Sequence, residues 1–183
     1  MNKTGPIPDS YWLIDGRILA GPYPGADDDE AARDKLSKLV DAGIRTFIDL
    51  TEATEPLGKY ERLLHSLASE RGIEATHVRH PVRDHGVPAE REQMNRILAT
   101  IREEIGAGRP VYVHCWGGVG RTGTVIGCWL VEEGLAGPEA IERIAELRAG
   151  SAASRTASPE TDEQCRYICE WRGSGSPDSA DGR

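Results

Sequence analysis

The feature that most constrains the fold is a glycine-rich run at residues 114–123, His-Cys-Trp-Gly-Gly-Val-Gly-Arg-Thr-Gly, set between two apolar patterns. Residues 111–113 before it are typical of a short buried strand, and residues 124–131 after it are typical of a buried helix. A strand that leads through a tight loop into a helix is a repeating unit of α/β proteins. The loop is therefore predicted to lie at the carboxyl end of a sheet strand.

The loop also combines residues suited to phosphate chemistry. Its backbone N–H groups can converge on one point, and the following helix N-terminus adds positive potential there. The planar guanidinium of Arg121 can hold two phosphate oxygens, and the same positive field favours the thiolate of Cys115. A phosphate cradle with a nucleophile at its base predicts phosphoryl transfer without a metal ion. The predicted phosphate-binding residues are Trp116, Gly117, Gly118, Val119, Gly120 and Arg121.

The pattern His-Cys-x5-Arg-Thr resembles the signature of the cysteine-based protein tyrosine phosphatase superfamily, and its Trp-Gly-Gly-Val-Gly loop is similar to the kinase-associated phosphatase branch. Residues 81–88, Pro-Val-Arg-Asp-His-Gly-Val-Pro, resemble the loop that carries the general-acid aspartate. Residues 158–164 resemble the opening of the last helix in small dual-specificity-like members. The resemblance covers residues 10–172. It implies a protein tyrosine phosphatase-like fold and a phosphocysteine intermediate.

Each candidate catalytic residue has an expected role. Cys115 would attack phosphorus, and Arg121 would bind the equatorial oxygens. Asp84 would protonate the leaving oxygen and then activate water. Thr122 could donate to the departing cysteine, although a hydroxyl there is also typical of a helix N-cap. His114 is expected to fix the loop from behind by hydrogen bonds.

The assignment of the general acid has two alternatives. Asp84 could be a turn residue, since Gly86 and Pro88 follow it. Asp49, at the end of another predicted strand, is the second candidate for the acid. The loop around Asp84 lacks the tryptophan of the large receptor-like phosphatases, and the amplitude of its closure is left open.

Other polar residues have weaker signals. Gln164 could place the hydrolytic water, but a solvated helix face is the more common role. Arg83, His85 and Arg155 could touch substrate or contact only water. The remaining candidates for metal ligands lack the spacing of a structural site, so neither a metal nor another cofactor is predicted; they are His77, His80, His85, Cys165 and Cys169. A disulfide between Cys115 and Cys128 is not expected.

Length and charge exclude several classes of protein. A chain of 183 residues fits one α/β domain, and its net charge of −8 argues against nucleic acid as the main partner. The start of the chain lacks an apolar signal segment, and the longest apolar run, residues 125–131, is too short to span a membrane. We expect a cytoplasmic location, where the thiolate stays reduced. The sequence does not indicate an oligomeric state.

Strand and helix patterns alternate along the chain, which predicts an α/β fold with a central, mostly parallel sheet flanked by helices. Residues 1–9 are predicted to be a flexible arm, 10–172 the phosphatase domain and 173–183 a disordered tail. The predicted strands are 18–20, 46–50, 75–79 and 111–113, and the predicted helices are 27–42, 56–70, 89–105, 124–131 and two that begin at Pro138 and Pro159.

The leading functional hypothesis is a phosphatase acting on protein phosphotyrosine, and the sequence leaves open whether phosphoserine and phosphothreonine are substrates as well. A phospho-binding module without turnover is a second hypothesis, opposed by the presence of both Cys115 and Asp84. A sulfurtransferase is a third, opposed by the Cys-x5-Arg-Thr pattern and the upstream acid. A phosphatase for a phosphoinositide or a nucleotide is a fourth, opposed by the absence of lysine between Cys115 and Arg121.

Overall fold

The computed structural model describes residues 4–173. Its five-stranded sheet has the order β1-β2-β5-β3-β4, in which β1 is antiparallel to β2 and all other neighbours are parallel. The strands are β1 Tyr11–Ile14, β2 Ile18–Gly21, β3 Thr46–Asp49, β4 Thr76–Arg79 and β5 Val111–His114. The helices are α1 Asp29–Asp41, α2 Glu61–Glu70, α3 Arg91–Gly106, α4 Gly120–Glu132, α5 Gly137–Arg148 and α6 Asp162–Glu170, with a short 3-10 turn at Ala152–Arg155. The predicted α/β class with a mostly parallel sheet is confirmed.

Both faces of the sheet are covered, because successive side chains of a strand point to opposite sides. On β5, Val111 and Val113 belong to one apolar core and Tyr112 to the other. The first core includes buried residues of α3 to α6, and the second those of α1 and α2. Members of the first are Met94, Ile97, Ile126, Ile144 and Ile168, and members of the second are Leu36, Leu39, Leu64 and Leu67.

Several local features differ from the predictions. Strand β1 was not predicted, because its run Tyr-Trp-Leu-Ile does not alternate between polar and apolar residues. It pairs with β2 through a turn in which Gly16 has a φ of 68°. Helix α2 begins at Glu61 rather than at residue 56, because the backbone of Gly58 lies against Ala26: a Cβ on Gly58 would be 2.2 Å from the Ala26 carbonyl oxygen.

Helix α6 begins at Asp162 and not at Pro159, because Thr161 is its N-cap and accepts a hydrogen bond from the Gln164 amide. At the other end of the chain, the described part of the predicted arm, residues 4–9, contacts the domain: Ile7 is buried, and the Gly5 amide donates to the Ser10 carbonyl. Residues 1–3 and nearly all of the predicted tail, residues 174–183, lie outside the described residues.

The sheet register brings three strand ends to one edge. Gly21 of β2 and Asp49 of β3 both lie beside His114 of β5. Cys115 therefore emerges at the carboxyl edge of the sheet, where ligand sites of α/β proteins are usually found. Among the described residues, no helix has the length and apolar character needed to cross a membrane.

Candidate active site

The loop between β5 and α4 is held in shape by close backbone contacts. Gly118 has a φ of 70°, and a Cβ there would be 2.3 Å from the carbonyl carbon of Gly21. The Tyr23 amide donates to the Trp116 carbonyl over 2.8 Å, and the Ser158 hydroxyl donates to the Val119 carbonyl over 2.8 Å. Helix α4 begins immediately after the loop, so the unpaired N–H groups of its first turn face the same region.

Cys115 lies beside this loop in a cavity of about 410 Å³ and is only 3% exposed. Its sulfur is a free thiol. The cavity brings together Cys115, Arg121 and Asp84, the three residues predicted to be nucleophile, phosphate ligand and general acid. The lining residues are Asp84, His85, Cys115, Trp116, Gly117, Val119, Gly120, Arg121, Thr156 and Glu160.

Arg121 is held by a buried ion pair that the sequence analysis missed. Its Nη1 and Nη2 donate to the two carboxylate oxygens of Glu55 over 2.5 and 3.1 Å, and the two side chains are 1% and 9% exposed. Nη1 also donates to the Val82 carbonyl over 3.1 Å. Burial alone would lower the pKa of Arg121, but its hydrogen bonds to Glu55 and the nearby acidic groups raise it above its usual value. The guanidinium therefore has a fixed plane and a permanent charge.

Glu55 gave one signal in the sequence that could have identified it. It is an acidic residue in the segment that follows β3, and β3 ends at the same sheet edge as β5. Parallel strands bring such segments together, so an acid there is a candidate partner for the arginine that follows the loop of residues 115–119, called the phosphate loop from here on.

Asp84 lies at the mouth of the cavity, with its side chain 46% exposed and Oδ1 2.9 Å from Arg121 Nη2. His85 beside it adopts a φ of 55°, and its Nε2 is 3.6 Å from Asp84 Oδ2. Asp84 therefore reaches the cavity that contains Cys115, as a general acid must.

Asp49, the second candidate for the acid, does not line the cavity. Its fully buried carboxylate accepts hydrogen bonds from the Thr51 hydroxyl over 2.6 Å and from Arg79 Nη2 over 2.9 Å. Burial alone would raise the pKa of Asp49, but hydrogen bonds from His77 and Thr51 hold it well below its ordinary value. Its carboxylate is therefore hydrogen-bonded to these partners and does not face the cavity that contains Cys115.

His114 is buried directly behind Cys115. Its Nε2 lies 2.7 Å from the Tyr60 hydroxyl, and its ring stacks on Tyr112 with centroids 5.4 Å apart. Burial lowers the pKa of His114 to about 4, so the imidazole is neutral at neutral pH.

Thr122 is buried in the first turn of α4. The N-cap of that helix is Val119, so the interpretation of Thr122 as an N-cap is wrong. Within residues 4–173, its hydroxyl oxygen has no hydrogen-bond partner.

Gln164 differs most from its predicted surroundings. The interpretation as a solvated helix face is wrong, because the side chain is fully buried. Its Oε1 accepts from the Glu160 and Thr161 amides, and its Nε2 donates to the Gly86 carbonyl over 2.9 Å. It therefore links α6 to the loop that carries Asp84.

The other polar candidates divide by position. His85 lines the cavity, whereas Arg83 and Arg155 are exposed and are not among its lining residues. His77 bonds to Asp49 and His80 to Thr100, each away from the cavity. In the described part of the chain, no three His, Cys, Asp or Glu side chains are grouped so that they could hold a metal ion.

Sequence comparison gives a family match over most of the folded region. A family model described as "Polymorphic toxin system, DSP-PTPase phosphatase" matches residues 25–135. Protein 067L of Invertebrate iridescent virus 3, a tyrosine phosphatase homologue, is 32% identical over 124 residues, which are 66% of this chain and 45% of the viral protein. The chain spans about half the length of the curated relatives it matches.

Solved structures share the fold. Tk-PTP in its active form has 28% identity and a TM-score of 0.67, covering 88% of this chain and 94% of its own. Kinase associated phosphatase has 21% identity and a TM-score of 0.64, covering 82% and 83% of the two chains. PTPMT1 in complex with PI(5)P has 22% identity and a TM-score of 0.64, covering 88% and 93%. The last two likenesses concern the fold alone.

Proposed function

This chain belongs to the DSP-PTPase phosphatase family of polymorphic toxin systems, and we propose that it hydrolyses phosphotyrosine in proteins through a phosphocysteine intermediate. The observation that carries this proposal is the single cavity in which Cys115, Arg121 and Asp84 meet. These residues supply a nucleophile, a clamp for phosphate oxygens and a proton donor.

In the first step, the Cys115 thiolate attacks phosphorus while the bond from phosphorus to the leaving oxygen breaks. Arg121 and the amides of residues 116–120 bind the three equatorial oxygens, whose negative charge is stabilised most in the transition state. Protonated Asp84 gives its proton to the leaving oxygen, so the alcohol or phenol departs neutral. The products of this step are phosphocysteine and the Asp84 carboxylate.

In the second step, water attacks the phosphocysteine. The Asp84 carboxylate accepts one proton of that water, and the sulfur–phosphorus bond breaks to release inorganic phosphate. Thr122 donates to the departing sulfur, which stabilises it as a thiolate. Its buried hydroxyl, without a partner in the described part of the chain, supports this role. The enzyme returns to its starting form with its acid protonated.

Two acidic side chains, Glu55 and Asp84, contact the guanidinium of Arg121. Glu55 is the deeper and more buried of them, and its two-point contact sets the plane of the guanidinium. Asp84 is more exposed and contacts only Nη2. A phosphate that binds Nη2 competes with Asp84 for that N–H group, and the displaced carboxyl group is then close to the leaving oxygen.

The cavity walls favour a phosphomonoester with one phosphate group. Asp84 and Glu160 place carboxyl groups at the mouth, and no lysine or arginine lies between Cys115 and Arg121. Additional phosphates on a phosphoinositide or a pyrophosphate would therefore meet like charge. Trp116, 48% exposed beside the cavity, offers an aromatic face to the ring of a phosphotyrosine.

The test compares turnover of a phosphotyrosine peptide, a phosphoserine peptide and PI(5)P by the wild-type chain and by Cys115→Ser. Cys169→Ser is the matched control, because Cys169 is exposed and outside the cavity. We expect the highest kcat/KM on phosphotyrosine, loss of turnover in Cys115→Ser and normal turnover in Cys169→Ser. A higher kcat/KM on PI(5)P would contradict the substrate assignment, and binding without turnover by the wild type would indicate a phospho-binding module.

A further inference from the structure

The chain contains two glutamines, and both bind the segment that carries Asp84. Gln93 of α3 closes the base of this segment, the acid loop, which we define as residues 81–89. Its Nε2 donates to the Pro81 carbonyl over 2.6 Å, and its Oε1 accepts from the Ala89 amide over 2.9 Å. One side chain therefore joins the two ends of the acid loop.

Gln164 of α6 holds the acid loop near its tip. Its Nε2 donates to the Gly86 carbonyl over 2.9 Å. The orientation of this amide is fixed, because Oε1 already accepts from the Glu160 and Thr161 amides over 3.1 and 3.2 Å. A flipped amide would set its oxygen against the Gly86 carbonyl and its NH2 against two N–H donors, so every polar atom would lose its partner.

The same amide lies against the start of α4, directly after the phosphate loop. A Cβ on Gly120 would be 2.9 Å from Gln164 Nε2 and 3.0 Å from its Oε1. Gln164 is fully buried in this position. It therefore sets the separation between the phosphate loop and the acid loop.

The position of Gly86 constrains the position of Asp84, because both residues belong to one tight turn. The Gly86 amide donates back to the Arg83 carbonyl over 3.0 Å, and His85 between them has a left-handed φ of 55°. His85 Nδ1 also faces Glu160 Oε2 at 3.5 Å, a second contact between the same two segments. Residues 83–86 therefore form one hydrogen-bonded turn, and Gln164 and Glu160 both contact it from the α6 side.

We infer that Gln164 is a positioning residue for proton donation: by holding Gly86 it keeps the carboxyl group of Asp84 where a leaving oxygen can accept its proton. The inference rests on the proposed role of Asp84 as general acid. It assigns Gln164 to the first chemical step, in which the leaving group departs, and not to the placing of water in the second.

Two variants separate the contacts of Gln164. Gln164→Glu keeps an acceptor for the Glu160 and Thr161 amides but replaces the donor to Gly86 with a carboxylate oxygen. Gln164→Met removes all three hydrogen bonds at nearly constant volume. Glu163→Gln, an exposed change of charge on the same turn, is the matched control.

The measurement is kcat/KM for a series of aryl phosphates whose leaving phenols span a range of pKa. For phenols of high pKa, which need the proton, both Gln164 variants should lose roughly tenfold or more, a part of the 10²–10⁴ that general acids supply. For phenols of low pKa the loss should be small, so the plot of log kcat/KM against leaving-group pKa becomes steeper. Glu163→Gln should retain the wild-type slope.

Three results distinguish this inference from its competitors. An equal loss for all leaving groups indicates a purely structural role and overturns the inference. A loss in kcat alone, with a larger burst and an unchanged slope, indicates placement of water and also overturns it. If Asp84→Asn does not steepen the slope, the proposed acid itself is wrong.

A double mutant provides the decisive comparison. If Gln164 acts through Asp84, Gln164→Met should cost almost nothing further in kcat/KM when introduced into Asp84→Asn, because the proton donor is already absent. Full additivity of the two losses would contradict the inference. Thermal unfolding of each variant shows which losses arise from an unfolded fraction.

Discussion

At the scale of single residues, the site depends on how a buried guanidinium is compensated. Arg121 is almost completely buried, and an uncompensated charge in that position would be very costly. Glu55 supplies a counter-charge, so in the proposed mechanism the contact with Asp84 can be exchanged for one with phosphate. Glu55 thus balances the buried charge of Arg121, and the exposed Asp84 leaves the guanidinium able to bind substrate in the proposed mechanism.

Removing the charge of Glu55 should therefore impair catalysis and also destabilise the fold. In Glu55→Gln, Arg121 keeps the Val82 carbonyl and Asp84 as partners, but the plane of its guanidinium is no longer fixed by two charged contacts. We expect kcat/KM on an aryl phosphate to fall roughly 10- to 100-fold, the cost typical of a misplaced catalytic group.

The control for this change is Glu52→Gln, which removes one charge from the same β3–α2 segment and should keep near-wild-type kcat/KM. Steady-state kinetics with p-nitrophenyl phosphate would measure both variants. A Glu55→Gln enzyme as active as the control would contradict the role given to this pair.

At the scale of elements, the phosphate loop is shaped by the β2–α1 connection as much as by its own glycines. Gly118 combines a left-handed φ with backbone contacts that leave no room for a Cβ, whereas Gly106, at the end of α3, has open space around it. The loop can bring its backbone close to Gly21 and Pro22 only because residue 118 is glycine.

Gly118→Ala should therefore both destabilise the fold and distort the loop. Left-handed strain and the close contacts should together lower the free energy of unfolding by at least about 2 kcal/mol. The affinity of Gly118→Ala for vanadate, which occupies the phosphate position, should also fall. Gly106→Ala is the control and should leave the urea midpoint unchanged or slightly higher; equal midpoints for the two variants would contradict the steric argument.

The elements that sequence patterns predicted well are those whose structure is decided locally. The helical spacing of Met94, Ile97, Leu98 and Ile101 identified α3, and the strand–loop–helix pattern identified the surroundings of Cys115. Elements whose start depends on a distant contact were placed wrongly: α2 is delayed by the approach of Gly58 to Ala26. The partners of site residues, Glu55 for Arg121 and Gln164 for Gly86, depend on tertiary contacts that no local pattern records.

At the scale of the whole molecule, the carboxyl edge of the sheet is stabilised by a buried polar network. His114 lies between the Tyr60 hydroxyl and the stacked Tyr112 ring, and its Nδ1 is 4.0 Å from Asp49. The pKa of His114 is about 4, well below that of an unfolded chain, so the folded state holds this imidazole neutral.

This difference makes the stability of the whole chain depend on pH. Because the folded pKa lies below the unfolded value of about 6.5, the contribution of His114 is fully present above pH 6.5 and is lost as pH falls toward 4. The free energy of unfolding should fall by about 2 kcal/mol between pH 7 and pH 5 from this residue. Burial also lowers the pKa of His80, which adds a loss of the same sign.

Urea unfolding at pH 7 and pH 5 would measure this dependence. In His114→Asn, the free energy of unfolding should differ less between pH 7 and pH 5, by the contribution of His114. This holds whether the variant is more or less stable than the wild type. Asp49 does not interfere, because its pKa is also lowered and its contribution is lost only at more acidic pH. An unchanged pH dependence in His114→Asn would contradict the assignment.

The central claim is that Cys115 becomes phosphorylated during turnover, and one measurement tests it most directly. Asp84→Asn is mixed with an aryl phosphate whose phenol departs without a proton, quenched in acid within the first turnover, digested and examined by mass spectrometry. Because the same variant lacks the base for the second step, the intermediate should accumulate, and one phosphoryl group should be found on the peptide containing Cys115. A phosphoryl group on another residue, or turnover by Cys115→Ser at more than about a tenth of the wild-type rate, would contradict the account.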